Sequence, residues 1–426
     1  MPIQGSDLLK NSRRSGMWNG HTRAQAADTM RTTTLDSGPL IQLTLLLLSA
    51  LTVMAAAAIA PALPALEAHF AGVPNAHLLV KLLVTLVGLV IALTAPIAGM
   101  LADRFGRRPV LIIALLLFTL GGASGLIFSS LGALLAGRIV LGLAVAGTMT
   151  ATGALINDLF SGPARGQFLS RQAAATNFGG AVLLPLGGVL AGFGWRVPFG
   201  LYLLALLLLP LVWRLPPGVP GAGASETGKV RPRWGLIGLV YALALLYMLT
   251  FYLMPTQGPF LLAFLHVSPG TTGLILGGFT LVAALTSLLY ARLAGRFDAR
   301  RVAALGFLLL GAGWLIVSRS DGLGGVLPGL LVGGLGAGLV FPNLYAWLAD
   351  VTPAAWRGRI TAGMSSAVFL GQFLSPLVLT SPSARPAVGF VWGAALAGVV
   401  GLGLLASSVF GRRAPADRTN ARERVT

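Results

Sequence analysis

The sequence predicts an all-α integral membrane protein, with twelve transmembrane helices in two pseudo-symmetric six-helix bundles. Three observations predict it. Hydrophobic residues make up 55% of the 426-residue chain and charged residues 10%, with a mean hydropathy of +0.83. Charge-free windows recur at the roughly 20-residue length that crosses a hydrocarbon core of ~30 Å. The chain also repeats itself. Leu101-Ala102-Asp103-Arg104-Phe105-Gly106-Arg107-Arg108 returns 192 residues on as Leu293-Ala294-Gly295-Arg296-Phe297-Asp298-Ala299-Arg300, with five of eight positions identical. Asp158 returns as Asp350, and Arg165-Gly166 as Arg357-Gly358, at the same offset. Polar segments that keep register over that length imply two similarly folded halves.

The elements follow in order. Residues 1–39 form a polar, mixed-charge tail that reads as disordered, and Met17 or Met30 is an equally good start. The tail lacks the short apolar core of a signal peptide, so the first span is expected to be the targeting element. The N-terminal bundle covers 40–213, with spans at 40–64, 78–98, 110–130, 132–157, 172–193 and 197–213. Pro216-Pro217-Gly218-Val219-Pro220-Gly221 opens a linker, 214–234, of flexible composition. The C-terminal bundle covers 235–410, with spans at 235–256, 272–291, 302–318, 324–347, 360–380 and 388–410, and 411–426 is a tail. Six spans per half return the chain to the same side, so the halves are parallel repeats. Parallel repeats around a midplane site are a transporter architecture.

The net charge of +18 invites a nucleic-acid reading, but the placement of the charges opposes it. Of the 30 Lys and Arg, all but Lys81, Arg138, Arg196, Arg319 and Arg385 fall in the tails, the linker and the even-numbered loops. This is the positive-inside distribution, and it places both termini in the cytoplasm. A nucleic-acid binder would gather its bases on a soluble face. No cysteine is present, which excludes disulfides and thiolate metal sites. Two apparent phosphate-binding patterns are rejected. The run Gly333-Gly334-Leu335-Gly336-Ala337-Gly338 lies inside a span, where small residues serve close helix contact. Gly223-Ala224-Ser225-Glu226-Thr227-Gly228-Lys229-Val230 ends in Val where a P-loop needs Ser or Thr. No cofactor or resident metal is expected.

The sharpest motif is Gly99-x-x-x-Asp103-Arg104-x-Gly106-Arg107-Arg108, in the loop between spans two and three. It matches the loop signature of the major facilitator superfamily at every position, and the chain resembles that superfamily over roughly 40–410. The resemblance implies the major facilitator fold and, within it, the twelve-span drug:proton antiporter group. It further implies that Asp103 faces the start of span eleven near Gly358-Arg359. Arg104 or a nearby arginine would link Asp103 to Asp158, and the linkage would lock the halves in the outward-facing state. The conformational gate is therefore assigned to Gly99, Asp103, Arg104, Gly106, Arg107, Arg108, Asp158, Arg165, Arg296, Asp350 and Arg357. The alternative is a topological role alone, holding the charge on one side. The second copy carries Gly295 in place of Asp103, which weakens that half of the latch.

Arg138 is the one charge well inside a span, where charges are costly and usually face a cavity. Gly137-Arg138-x-x-x-Gly142 resembles a span-four motif that the superfamily's exporters associate with proton coupling. The alternative is an arginine snorkelling to the interface. Gly180-x-x-x-x-Pro185-x-Gly187-Gly188 resembles the exporters' span-five motif, with Leu184 where a glycine belongs. Pro185, Gly187 and Gly188, echoed by Pro376 in span eleven, are expected to make a pliable helix.

No Asp or Glu falls near mid-membrane, and Glu67, just beyond Pro61 and Pro64, is the best carboxylate for proton coupling beside Arg138. Candidate substrate contacts are Asn177, Tyr247, Phe251, Tyr252, Gln257, Asn343, Tyr345 and Gln372, with helix packing as the alternative for each. Aromatic rings with a few amides suit a small uncharged or cationic amphiphile. The expectation is a monomeric secondary transporter, not an enzyme, in a bacterial inner membrane. Its partners would be a small-molecule substrate, protons and the bilayer, and its task export by alternating access. A uniporter or symporter of a neutral metabolite such as a sugar is the rival within transport. A non-transporting sensor or scaffold is the rival outside it.

Overall fold

The computed structural model describes residues 38–216, 232–353, 356–379 and 386–410. The tails to residue 37 and from residue 411, the linker from 217 to 231, and Arg385 lie outside the described residues. Among the described residues, eleven helices are long and apolar enough to cross a membrane. They are α1 (Pro39–His69), α2 (Ala76–Phe105), α3 (Arg107–Ile127), α4 (Leu131–Leu159), α5 (Ala164–Ala191), α7 (Trp234–Phe264), α8 (Pro269–Ala294), α9 (Ala299–Ser318), α10 (Leu323–Val351), α11 (Arg357–Val378) and α12 (Ala387–Ser408). The remaining predicted span, α6 (Val197–Trp213), is shorter. Its first twelve residues are wound as a 3-10 helix and its last five as an α-helix. At about 2.0 and 1.5 Å per residue those stretches reach about 31 Å, so seventeen residues are enough to cross. In lipid every backbone group must be satisfied internally, which is why the apolar stretches are helical throughout.

Local chemistry sets the ends and breaks. Ser130, Ser268 and Asp298 cap α4, α8 and α9 by accepting from the backbone N–H three residues on. Pro61 and Pro64 accompany a 3-10 turn, Ala60–Ala62, that divides α1. Helix α7 breaks at Tyr252, where Pro255 has no N–H for the Phe251 carbonyl. The segment from Gly99 to Phe105, expected in a loop, is instead the end of helix α2. Gly106 alone makes the turn, at φ 91°, a conformation that favours glycine. Likewise α5 begins well before residue 172, because a polar stretch containing Arg165 and Arg171 continues the helix.

Two apolar cores form, one mainly of α1–α6 that also takes in Phe260 of α7, and one mainly of α7–α12 that also takes in Ala57, Ala60 and Leu184 of the first half. Glycines allow backbone contact inside each half. A Cβ on Gly121 would stand 2.7 Å from the Gly137 carbonyl oxygen, and one on Gly313 would stand 2.6 Å from that of Gly329. Gly334 and Gly338 bring α10 against Val282 and Ala283 of α8. The glycine run of span ten is thus spent on helix packing.

Gly313→Val should overpack the α9–α10 contact by about 1–3 kcal/mol. It is expected to lower the melting midpoint in detergent, whereas Gly278→Val, with nothing within 4 Å, leaves it unchanged. Equal midpoints would mean that the α9–α10 contact is looser than its geometry.

Candidate functional site

The halves meet through α2 and α5 of one and α11 and α8 of the other, and they do not meet equally at both ends. At the end opposite the arginine-rich loops, α5 and α8 touch backbone to backbone. A Cβ on Gly188 would lie 2.5 Å from the Pro269 carbonyl oxygen, and one on Gly273 would lie 2.5 Å from that of Leu184. Pro185 sits on Gly277, and Gly187 on the Ala58 carbonyl. Gly88 of α2 fits beneath Phe369 and Gln372 of α11. Further along, Ser366 Oγ of α11 donates to the Ala92 carbonyl of α2 at 3.5 Å. Beyond it, towards the basic end, both helices become largely exposed, and the space beside Gly99, Gly166 and Gly358 is open. The bundles are packed at one end and parted at the other.

At the parted end the guanidinium of Arg107 holds two carboxylates. Nη2 lies 3.1 Å from Asp103 Oδ1, Nε lies 3.2 Å from Asp158 Oδ2, and Nη1 donates to the Ala102 carbonyl at 3.3 Å. The Nε contact is an ion pair without hydrogen-bond alignment. Arg107 is 2% exposed, while the Asp103 side chain is half-exposed and forms no ion pair with α11 among the described residues. The contact with the start of α11 that the resemblance implies is not made in this state. Arg104 lies over Phe105 and Arg108 over Trp213, so neither is the linking arginine. In the second copy Ala299 stands where Arg107 does, and Asp298 caps α9 beside Arg301. Arg165, Arg296, Asp350 and Arg357 are exposed at this end and form no ion pair among the described residues.

Arg138 is fully buried, so it does not snorkel. Its Nη2 donates to the Gly122 carbonyl at 2.9 Å and Nη1 to the Tyr202 hydroxyl at 3.0 Å, between the rings of Phe199 and Tyr202. Helix α3 breaks after Gly122, where the Leu126 N–H turns to Ala123 and leaves the Gly122 carbonyl for the guanidinium. Tyr202 in turn donates to the Ala55 carbonyl at 2.9 Å, near the break in α1. These partners all lie within the N-terminal bundle.

The candidate substrate residues separate into two groups. Tyr247 and Asn343 belong to the core of the C-terminal bundle rather than to a cavity. The Tyr247 hydroxyl donates to the Ala337 carbonyl at 3.2 Å among Phe251, Phe307 and Phe341. Asn343 Nδ2 donates to the Ala299 carbonyl at 2.8 Å. Gln372 is buried against Gly88, and Pro376 is buried in α11. Asn177, Phe251, Tyr252 and Tyr345 remain half-buried.

Sequence reasoning set Lys81 apart from the cytoplasmic bases but gave it no role. Lys81 is 0% exposed. Its Nζ donates to Gln257 Oε1 of α7 at 2.9 Å, lies 2.5 Å from His77 Nε2, and sits 5.0 Å from the centre of the Phe260 ring. His77 Nδ1 lies 2.9 Å from Glu67 Oε1. Glu67, His77, Lys81 and Gln257 form one chain of contacts from α1 through α2 into the other half. The i,i+4 spacing of His77 and Lys81 was visible in the sequence, but their partner 176 residues away was not.

Among the described residues, twelve helices stand in two bundles, in contact at the far end and more open at a charged end, which is the architecture of a membrane transporter. The chain belongs to the Major Facilitator Superfamily, whose sequence model matches residues 45–257 and again 239–425. It is 28% identical over 331 residues to the bacillibactin exporter of Bacillus subtilis, covering 71% of this chain and 80% of that protein. It is 29% identical over 350 residues to the class C tetracycline resistance protein of Escherichia coli, covering 74% and 83%. Among solved structures, a D-xylose-proton symporter superposes with a TM-score of 0.73 at 20% identity, over 86% of this chain and 96% of that one. The chain is a multi-pass membrane transporter with efflux proteins among its relatives, and its relatives and fold are those of transporters rather than enzymes.

Breaking a buried ion pair costs about 3–5 kcal/mol, and an exposed contact about 1 or less. Arg107→Gln should therefore lower the melting midpoint well below that of Arg104→Gln. Equal midpoints would assign the Arg107 pairing no structural weight.

Proposed function

We propose that this chain is a proton-coupled exporter of small amphipathic compounds, working as a monomer by alternating access in a bacterial inner membrane. The observation that carries the reading is the unequal closure, with bundles in contact at the far end and parted around Asp103, Arg107 and Asp158. The positive-inside distribution places the basic end in the cytoplasm, which makes this the inward-facing state. In the outward-facing state the bundles would close at the basic end and bring Asp103 to the start of α11. Contacts of that kind contribute up to about 2 kcal/mol when partly buried. A few of them suffice to bias states a few kcal/mol apart. Gly99 and Gly106 permit the close approach and the turn, and the exposed Arg165, Arg296, Asp350 and Arg357 surround the mouth that closes.

Substrate would enter between the halves and meet Asn177, Phe251, Tyr252 and Tyr345, where rings and few polar groups favour an uncharged or cationic amphiphile. Glu67 is the proton-coupling carboxylate in this reading, and Arg138 serves it by holding the breaks in α1 and α3. Pro185 and Gly188 lie where α5 must slide against α8, Gly187 packs on Ala58 of its own half, and Pro376 lies inside α11. The kinship with an exporter and a resistance protein supports the outward direction. Uptake of a neutral metabolite is the second reading, favoured by the lack of any mid-membrane acid.

The test is dye and drug accumulation in an efflux-deficient bacterial host carrying wild type, Asp103→Asn or empty vector, with and without a protonophore. Lower accumulation with wild type alone, abolished by the protonophore, is expected. No difference from empty vector across a broad panel, with expression confirmed, would move the reading to a narrow-substrate metabolite carrier.

A further inference from the structure

We propose that Glu67, His77 and Lys81 form a proton-binding lock that holds the far end of the transporter shut through Gln257. The inference rests on the proton-coupled reading above and names the site at which the proton acts. A single proton held between His77 Nε2 and Lys81 Nζ satisfies every member of the chain, and the bonds are clearest with that proton on Lys81. His77 Nδ1–H donates to the Glu67 carboxylate, and the lone pair on His77 Nε2 accepts from the Lys81 ammonium. A second ammonium proton goes to Gln257 Oε1, and the Phe260 ring lies alongside the charge. The set then carries one negative and one positive charge and is neutral overall, as burial of a cation requires.

A second proton destroys this arrangement. When His77 Nε2 takes up a proton it loses the lone pair that accepts from Lys81, and the imidazolium faces an ammonium 2.5 Å away. The Lys81–Gln257 contact joins the halves across the far end, so repulsion at Lys81 separates them there. Protons can reach the set from that side, because the Glu67 and His77 side chains are 30% and 28% exposed while Lys81 is sealed behind them. Helix α7 contributes Gln257 and Phe260 to the surroundings, and both are uncharged. From α1 the other titratable group is His69, which stacks on Phe70 and Trp195 instead. Among the described residues no other charged side chain forms an ion pair with Glu67, His77 or Lys81.

The lock makes opening of the far end depend on protonation from the far side. An empty carrier without the second proton is held shut at the far end and cannot change state. A carrier that has gained the proton, or bound substrate strongly enough to part the halves, is released. Reclosure returns the extra proton to the far side, from which the set is reached, since the closed set holds one proton between His77 and Lys81.

The chain has no cysteine, so a spin-label pair is placed directly at Val73→Cys and Asp321→Cys. These are exposed positions in the α1–α2 and α9–α10 turns, one in each half at the far end. Distances are read by double electron–electron resonance in nanodiscs at about pH 8 and about pH 5.5, a range over which imidazoles change charge. Wild type should show a short distance at the higher pH and a growing longer one on acidification. His77→Gln keeps an amide at the position but takes up no second proton, and it should lose the shift. Lys81→Met should show the long distance at both values. A shift that survives His77→Gln, or no shift in wild type, overturns the lock. Protonophore sensitivity of export, measured on the same proteins, judges the antiport reading separately from the distances.

Discussion

A cation moved from water into hydrocarbon must bring its own solvation, and the protein answers this demand in three ways. The penalty is several kcal/mol per ion when no partner is supplied. Arg138 is solvated by the Gly122 carbonyl that the break in α3 leaves free and by the Tyr202 hydroxyl, which itself donates to Ala55 of α1, so its charge fixes the inside of one bundle. Arg107 is solvated by two carboxylates at the basic end. Lys81 finds one of its partners only in the opposite half. The first solution survives any relative motion of the bundles. The third exists only while they touch at the far end, which makes Lys81 the cation most sensitive to conformation.

The far end is otherwise closed without charge. Gly188 and Gly273 bring two backbones together, and Gly88 admits Phe369 and Gln372. Such contacts rest on dispersion over well-fitted surfaces and small residues, as helix association in lipid generally does. They have little directionality, so they tolerate a sliding motion that a network of ion pairs would oppose. The basic end uses the reverse chemistry, with charged groups at the mouth and open space beside Gly99 and Gly358. In the proposed cycle one end closes by shape and the other by charge.

Much of this was legible in the sequence, for physical reasons. Membrane spans announce themselves because the bilayer admits few polar residues, and the 192-residue repeat set the number of elements in each half. Asp103, Arg107 and Asp158 stood out because charges are scarce in such a chain, although Arg107 rather than Arg104 proved to be the bridging residue. The cavity was not legible. Tyr247 and Asn343 satisfy backbone carbonyls inside their own bundle, and no periodicity distinguishes that from facing a substrate when lipid, core and cavity all border one helix. The 3-10 winding of α6 also left no signal, because its residues are ordinary helix formers.

The duplication shows how chemistry was divided between the halves. The position 192 residues on from Lys81 is Gly273. In the first repeat that position carries the buried ammonium that reaches α7. In the second it carries no side chain and lets α8 lie against Leu184 and Gly188 of α5. Arg107 has Ala299 as its counterpart, and Asp103 has Gly295. Each exchange replaces a charged group of the first half with a small residue in the second. Two halves with ionic contacts at both pseudo-equivalent interfaces would have twice as many charges to desolvate each time the carrier changed state. Asp158 and Asp350, like Arg165 and Arg357, keep charge in both halves at the basic end, but the buried ammonium of Lys81 has no charged counterpart and faces the uncharged Gln257, so a single site can govern the closure of the far end.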